Sequence, residues 1–531
     1  MINKIHIENY KIFDSFTSVF NNDLNIIVGD NESGKSTILE AINLVLTKRI
    51  NGRLIDTELT PYYFNKKCVE DYLNKLASDH ISELPKILIE IYLSEAPELN
   101  DLRGTMNTDK SDSIGIKLEI VFDEDYKEEY AKLIESKPQI KVIPTEYYQV
   151  CWYSFANKAI TARSLPIGLS YIDAAAIRLQ SGADYYLQNI INSGLDTKER
   201  VALSIAYRSL KEAFSNEASI KAINAKLTNK KGAITDKDLA LSIDISQKSN
   251  WEANLIPHLD ELPFQFIGKG EQNALKIMLA LERQADDAHV ILIEEPENHL
   301  SFTSLNMLLS KINAKCEGKQ IFIATHSAYV LNELGIEKVV LLNGRKTFFL
   351  NKLPIDTQNY FKKLSGYDTL RLILAKKTIL VEGPSDELIV KKAYLLKYNK
   401  LPIEDGVDVV NIRGLSFSRF LDISKELKNI VAIITDNDKD YNKNVIERYR
   451  DYADKENISI FSSSNNSLTT LELNILNCNN IFILNKVFGT SFVNAQLMEN
   501  YMLSNKTECA LKLFETLEAI ILPQYVQDAI S

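Results

Sequence analysis

The run Leu24-Asn25-Ile26-Ile27-Val28 is apolar and of strand length, and it ends in Gly29-Asp30-Asn31-Glu32-Ser33-Gly34-Lys35-Ser36. From Ser36 and Thr37 onward, Ile38, Leu39, Ile42, Val45 and Leu46 fall on one helical face. Two glycines and a Lys-Ser pair at this spacing, set between a strand and a helix, have the form of a nucleotide-binding loop. Gly29 and Gly34 let the backbone bend round phosphates, and the N–H groups from Asn31 to Thr37 face an anion. Lys35 reaches the β- and γ-phosphates, and Ser36 can ligate Mg²⁺. A strand–loop–helix unit of this kind is seated on a sheet flanked by helices, which commits the chain to the α/β class.

At 531 residues the chain exceeds the size at which one hydrophobic core stops growing, so two or three domains are expected. No run reaches the roughly 18 apolar residues of a membrane span, and Met1-Ile2-Asn3-Lys4-Ile5-His6-Ile7 lacks the apolar core of a signal peptide. A cytoplasmic protein without membrane partners is the expectation. Cys68, Cys151, Cys316, Cys478 and Cys509 are dispersed, without a Cys-x-x-Cys pair, and are expected to be packing residues. The net charge of −10 has the wrong sign for coating DNA, so any nucleic-acid contact must be local. Lys226 with Lys230-Lys231, Lys362-Lys363, Lys376-Lys377 and Lys391-Lys392 are candidate patches, although short lysine pairs are common on any solvated surface.

The remainder of an ATPase head appears far downstream. Val290-Ile291-Leu292-Ile293 is a buried-strand pattern ending in Glu294-Glu295-Pro296-Glu297-Asn298-His299-Leu300, the form of a Walker B element. Glu295 is placed to polarise an attacking water and Glu294 to bind Mg²⁺ through water. Gln320-Ile321-Phe322-Ile323-Ala324-Thr325 delivers His326 to a strand end, where a histidine can sense a γ-phosphate. Between them, Gly268-Lys269-Gly270-Glu271-Gln272-Asn273 opens a helix carrying Leu275, Met278 and Leu279. This order resembles ABC-type ATPases, in which one subunit's Gly268/Gly270-like loop closes on the nucleotide of another. The resemblance implies a homodimer or higher homo-oligomer.

Some 250 residues separate the two Walker elements, too many for one compact α/β unit. Lys86–Tyr92, Ile114–Ile120 and Tyr147–Trp152 alternate like antiparallel strands. From about Ile177 to Asn250 the pattern turns helical through Val201, Ile205, Leu210, Phe214, Ile220, Ile223, Leu227, Leu239, Leu241 and Ile243, punctuated by Ser193-Gly194 and Lys231-Gly232. A helical dimerisation insert and a helical subdomain packed on its own head both fit. The expected organisation is a head in two parts, 1–176 and 256–368, around an insert at 177–255, followed by a domain at 369–531.

That last domain carries a second phosphate-chemistry signature. Thr378-Ile379-Leu380-Val381 reads as a strand, followed by Glu382-Gly383-Pro384-Ser385-Asp386 opening a helix through Lys397. Ile430-Val431-Ala432-Ile433-Ile434-Thr435 is a second strand, ending in Asp436-Asn437-Asp438. In parallel α/β sheets ligands bind at the carboxyl ends of strands, so Glu382/Asp386 and Asp436/Asp438 are expected to meet at one crevice. Hard Mg²⁺ wants such oxygen ligands.

This arrangement resembles the Toprim domain of topoisomerases, bacterial primases and certain nucleases. With the split ATPase head ahead of it, the chain closely resembles the OLD (overcoming lysogenization defect) family of ATP-dependent endonucleases. The resemblance implies an ABC-type head interrupted by a helical insert and a Toprim domain with a parallel sheet. It also implies ATP and Mg²⁺ or Mn²⁺ as cofactors, DNA as substrate, two-metal phosphodiester hydrolysis, and a role in anti-phage defence, sometimes beside a helicase or a reverse-transcribed DNA partner. Thr470-Leu471-Glu472 matches a family element, adding Glu472 to the metal set. Lys506 is the candidate for the family's catalytic lysine, with Lys486 and Lys512 nearby in sequence. A topoisomerase or primase sharing the acidic core, and an ATP-switched DNA clamp with an inert acidic site, are the rival readings. The first needs a gate domain or zinc module for which little chain and no Cys/His cluster remain; the second sits poorly with a complete carboxylate set.

Overall fold

The computed structural model of the protein describes residues 1–77, 84–135, 140–161, 164–173, 179–180, 183–184, 195–228, 240–243, 256–282, 288–314, 318–343, 345–363, 369–414 and 416–531. They group into two compact units, Met1–Asn25 with Gly34–Thr325, and Ile26–Ser33 with His326–Ser531. The division at Thr325 falls inside the segment 256–368 that the sequence assigns to the head. No helix among the described residues is long and apolar enough to cross a membrane.

The first unit opens with Ile2–Tyr10 (β1) and Phe13–Val19 (β2); Leu24–Gly29 (β3) begins here and ends in the second unit. Ile87–Leu93 (β4), Ser113–Phe122 (β5) and Tyr148–Ser154 (β6) are the three strands expected from alternation. They form an antiparallel sheet in the order β2-β1-β4-β5, with β6 also paired to β5. Ile167–Asp173 (β7), Ala288–Glu294 (β8) and Lys319–Ala324 (β9) are parallel in that order.

Helix Lys35–Thr47 (α1) packs on β4 and β5 and on β7 and β9. Contact with both sheets buries Ala41 and Leu44 beside the expected Ile38, Leu39, Ile42, Val45 and Leu46. Each fully buried Leu or Ile there contributes about 2 kcal/mol. Trp152 Nε1 donates to Val45 O at 2.8 Å, and buried Gln320 joins β9 to β1 by accepting from Ile2 N at 2.6 Å and donating to Ile2 O at 2.8 Å.

The segment 177–255 is helical only in part. Thr197–Asn216 (α2), opened by an Asp196/Glu199 capping box, and Ala218–Thr228 (α3) follow the expected pattern. Leu179–Gln180 and Ala183–Asp184, by contrast, pair as short antiparallel strands. Ser181-Gly182 lies between them in sequence, a turn signal that the helical reading overlooked. Residues 240–243 are also not helical. The Asn224 side chain bonds both the N–H and the C=O of Leu241, at 2.7 and 3.0 Å, and so takes the place of a helical partner. Ser193-Gly194, Lys230-Lys231-Gly232, Leu239 and Cys316 lie outside the described residues. Helix Lys269–Glu282 (α4) buries Ile277, Ala280 and Leu281, whereas Leu275, Met278 and Leu279 are only half-buried, because Gln272 and Asn273 anchor its start.

In the second unit, Ile26–Gly29 of β3 pairs parallel with Val339–Asn343 (β10), and Lys346–Phe349 (β11) pairs antiparallel with β10. Lys377–Val381 (β12), Val407–Asn411 (β13), Ile430–Ile434 (β14) and Ile458–Phe461 (β15) form a wholly parallel sheet in the order β13-β12-β14-β15. Helix Pro384–Tyr398 (α5) places Ile389, Val390 and Ala393 against Ile379, Val381, Val409, Ala432 and Ile434. Phe417–Leu427 (α6) packs on β14 and β15 and buries Phe417, Phe420 and Leu421. Burial on two faces explains why these strands read as unbroken apolar runs. Leu471–Cys478 (α7), Lys506–Glu515 (α8) and Gln524–Ala529 (α9) complete the core with Leu471, Ile475, Cys509, Leu513 and Val526.

Lys391-Lys392 is not a solvated patch. Lys391 Nζ pairs with Glu387 Oε1 at 2.5 Å, and buried Lys392 donates to Phe514 O at 3.0 Å and Thr516 O at 2.7 Å, satisfying carbonyls at the end of α8. Cys509 is buried, and Cys68, Cys151 and Cys478 are half-buried and unpaired.

Candidate nucleotide loop and acidic site

In the first unit, Gly34 at φ 105° starts α1 without a side-chain cap and without an acidic residue in the first turn. An uncapped helix start of this kind suits an anion. A side chain at position 34 would run into the Phe13 ring. Lys35 is buried, Thr37 half-buried and Ser36 exposed. Ser36 hydrogen-bonds the Glu294 carboxylate, so the two Walker elements meet.

Burial, then the nearby Asp173 charge, push the Glu294 carboxyl upward, and its Oε1 is buried without a hydrogen-bond partner. An orphaned carboxylate oxygen beside a serine hydroxyl is a donor set that fits a hydrated Mg²⁺. Tyr171 also bonds Glu294. Tyr171 and Asp173 were not singled out from the sequence; the available signal was a polar residue ending a strand in register with Glu294.

Glu295 stands at φ 47°, its N–H bonds Ala324 O at 2.8 Å, and its carboxylate accepts from Asn298 Nδ2. Glu297 Oε1 accepts from Thr325 Oγ1 at 2.7 Å. Gln272 Nε2 donates to Phe264 O and Ile267 O, fixing the loop that carries Gly268. Asn273 Nδ2 donates to Asn298 O at 3.2 Å, and the Cα of Gly270 packs so closely on His299 O that no Cβ fits. The glycine loop and the residues after Glu295 are therefore held together within one chain.

In the second unit, a Cβ on Gly29 would lie 2.5 Å from Ser33 Oγ and 2.8 Å from Leu342 O, so the tight loop requires glycine there. Asn31 is exposed. His326 is exposed and precedes Ser327, whose hydroxyl caps the helix Ala328–Leu334.

The acidic site lies at the carboxyl ends of β12 and β14. Glu382 follows β12, and its Oε1 accepts from Thr435 Oγ1 at 2.7 Å and Asp436 N at 3.1 Å. This ties the end of one strand to the end of its neighbour. Asp386, in the first turn of α5, accepts from Gly383 N at 3.0 Å through Oδ2. Burial, then Glu382 and Glu472, raise its carboxyl to about 7. Burial, then Glu382, Asp386 and Glu472, raise Asp436 to about 8, against the pull of Lys506.

Glu472 is buried, its Oε2 has no hydrogen-bond partner, and Lys506 Nζ stands 3.3 Å from that oxygen. This contact has ion-pair distance without hydrogen-bond geometry. Lys486 and Lys512 are engaged elsewhere, with Glu518 Oε1 at 2.7 Å and with Phe488 O at 3.2 Å. Asp438 is exposed at φ 45°, on the same loop as buried Asn437, which donates to Ser463 O and Asn465 O and fixes the loop.

Among the described residues no three such side chains have the geometry of a metal shell. The donor chemistry nonetheless fits a hard cation: four carboxylates crowd one crevice, two hold their protons near neutrality, and Glu472 presents a buried oxygen met by Lys506 at ion-pair distance alone.

A family model described as AAA ATPase domain matches residues 1–331, and one described as overcoming lysogenization defect protein-like, TOPRIM domain, matches residues 373–438. The chain belongs to the AAA ATPase domain family and is an OLD-family ATPase–Toprim protein. This OLD-family protein is similar to endonuclease GajA of Bacillus cereus (strain VD045), 21% identical over 466 residues, 82% of this chain and 74% of GajA. It is also similar to the DNA replication and repair protein RecF of Streptococcus pyogenes serotype M4, 21% identical over 362 residues, 63% of this chain and 94% of RecF. Among solved structures, the C-terminal region of the Burkholderia pseudomallei OLD protein matches 30% of this chain and 96% of that chain, at 15% identity and a TM-score of 0.25.

Proposed function

We propose that this OLD-family protein is an ATP-regulated, divalent-metal-dependent DNA endonuclease or nickase acting in the cytoplasm in anti-phage defence. The observation that carries the reading is the convergence of Glu382, Asp386, Asp436, Glu472 and Lys506 at two neighbouring strand ends. When bound there, Mg²⁺ or Mn²⁺ held by Glu382, Asp386, Asp436, Asp438 and Glu472 supplies positive charge to the scissile phosphate and lowers the pKa of water. The chain's own part is positional. Thr435 Oγ1 and Asp436 N fix one oxygen of Glu382, Gly383 N fixes one oxygen of Asp386, and the Lys506 ammonium beside Glu472 offsets charge growing on the phosphate oxygens. In the head, Lys35 binds phosphate, Ser36 and Glu294 hold Mg²⁺, Glu295 orients water, and His326 senses the γ-phosphate.

ATP gates the cut by closing two heads, with Gly268 and Gly270 of one chain meeting the nucleotide of another. Exposed Val201, Ile205, Leu210 and Phe214 on α2 support an insert that meets a second copy. The test is incubation of purified protein with supercoiled plasmid and Mg²⁺ or Mn²⁺, which separates nicking, relaxation and retention.

A further inference from the structure

Tyr449 is among the largest fully buried side chains of the protein. It follows a six-residue π-helical stretch, Asn442–Glu447, and precedes a 3₁₀ turn, Arg450–Tyr452, so the winding switches from wider to tighter than an α-helix at this residue. Such irregular turns often accompany functional positions. The ring packs against Phe417 with centroids 6.5 Å apart, and the Arg448 guanidinium lies 5.5 Å from its centroid. A phenylalanine would make the same packing. The hydroxyl is the anomaly: it is buried, and its one polar contact, with the Thr435 side chain, falls short of a well-formed hydrogen bond. A buried hydroxyl left unsatisfied is destabilising, so packing alone does not account for a tyrosine here.

The hydroxyl is directed at the acidic site. It meets the Thr435 side chain, and the charges of Arg448, Glu382 and Asp438 act on it. Thr435 is itself buried and spends its single proton on Glu382 Oε1, at 2.7 Å. A hydroxyl that donates its proton still has lone pairs to accept one. The Tyr449–Thr435 contact therefore extends to a line of two hydrogen bonds, from Tyr449 O–H to Thr435 Oγ1 and from Thr435 O–H to Glu382 Oε1. Hydrogen bonds in series polarise one another, and in a buried setting the second becomes stronger when the first is made.

We propose that Tyr449 is a positioning residue for the metal-binding carboxylate Glu382, acting through Thr435. The proposal rests on the reading of the acidic site as a divalent-metal site. Partners one layer behind a metal ligand fix its orientation, and their loss typically weakens metal affinity 10- to 100-fold.

The experiment titrates the full chain with Mn²⁺ alone, following free Mn²⁺ by electron paramagnetic resonance, with melting temperature recorded for every variant. Tyr449→Phe should weaken Mn²⁺ binding about tenfold while melting within a few degrees of the parent. Thr435→Val should weaken it at least as much, Thr435→Ser should restore it, and the Tyr449→Phe/Thr435→Val double variant should be no weaker than Thr435→Val alone. Parent-like Mn²⁺ affinity in Tyr449→Phe, or losses that add in the double variant, would overturn the relay. The Glu382→Ala arm separates the two levels. If it binds Mn²⁺ as the parent does, the metal-site reading fails and takes the relay with it. If it loses Mn²⁺ while Tyr449→Phe does not, the relay alone fails.

Discussion

Asp436→Asn should make the metal-free protein more stable at neutral pH while removing its function. Asp436 ends β14 with its carboxyl moved from an ordinary 3.8 to about 8, chiefly by burial and then by Glu382, Asp386 and Glu472. The folded state thus keeps a proton that the unfolded chain releases near pH 4. Its contribution is fully favourable below that pH, and stability falls as pH rises from about 4 to about 8. At pH 7 roughly three units of the shift operate, about 4 kcal/mol at ~1.4 kcal/mol per unit. Asp386, raised to about 7, titrates together with Asp436, so roughly half of this, ~2 kcal/mol, falls to Asp436. Asparagine fills the same space without charge. Taking ~2–4 °C per kcal/mol for a unit of this size, Asp436→Asn should melt about 4–8 °C higher at pH 7 in EDTA. It should show no gain near pH 4. Thermal melts of parent and variant at both pH values, with and without Mn²⁺, test this, and Mn²⁺ should raise the parent's midpoint alone. A variant that melts lower at pH 7, or gains equally at pH 4, would refute the electrostatic reasoning.

Other outcomes follow from the head. Lys35→Ala should abolish tight ATP binding, whereas Glu295→Gln should bind ATP and hydrolyse it slowly; equal loss of binding in both, measured by calorimetry, would undo that division of roles. Gly34→Ala forces a Cβ into the Phe13 ring at a backbone angle that side chains rarely adopt, and should cost about 1–3 kcal/mol of stability together with nucleotide binding. Asp438→Ala should keep its ATPase rate within a few-fold of the parent, while a non-hydrolysable ATP analogue should change the parent's cutting rate. ATPase collapse in Asp438→Ala would point to one fused active site.

What the sequence disclosed was local chemistry at strand ends. Gly29, Gly34 and Lys35, and the pairs Glu382/Asp386 and Asp436/Asp438, each sit where a short apolar run stops, and such a pattern needs no long-range information. β12 and β14 are neighbours in a parallel sheet, so Glu382 and Asp386 meet Asp436 from some fifty residues away, whereas Asp438 is exposed on the loop beyond. What escaped depended on tertiary partners. Lys391-Lys392 reads as surface charge until α8 supplies carbonyls for Lys392. Leu241 and Ile243 stand two residues apart, a spacing that does not specify a helix, and the Asn224 side chain satisfies the Leu241 backbone. Tyr171, Asp173 and Tyr449 carry no local motif, and only the strands and turns beside Glu294 and Glu382 give them meaning.

The central claim is that the acidic crevice cuts DNA. The most direct measurement compares parent, Glu382→Ala and Asp436→Ala on supercoiled plasmid with Mg²⁺ or Mn²⁺, using preparations whose melting curves show folded protein. The account predicts metal-dependent nicked or linear product from the parent and none from either variant. Equal cutting by all three would contradict it, as would a parent that leaves the plasmid supercoiled under every metal and nucleotide condition.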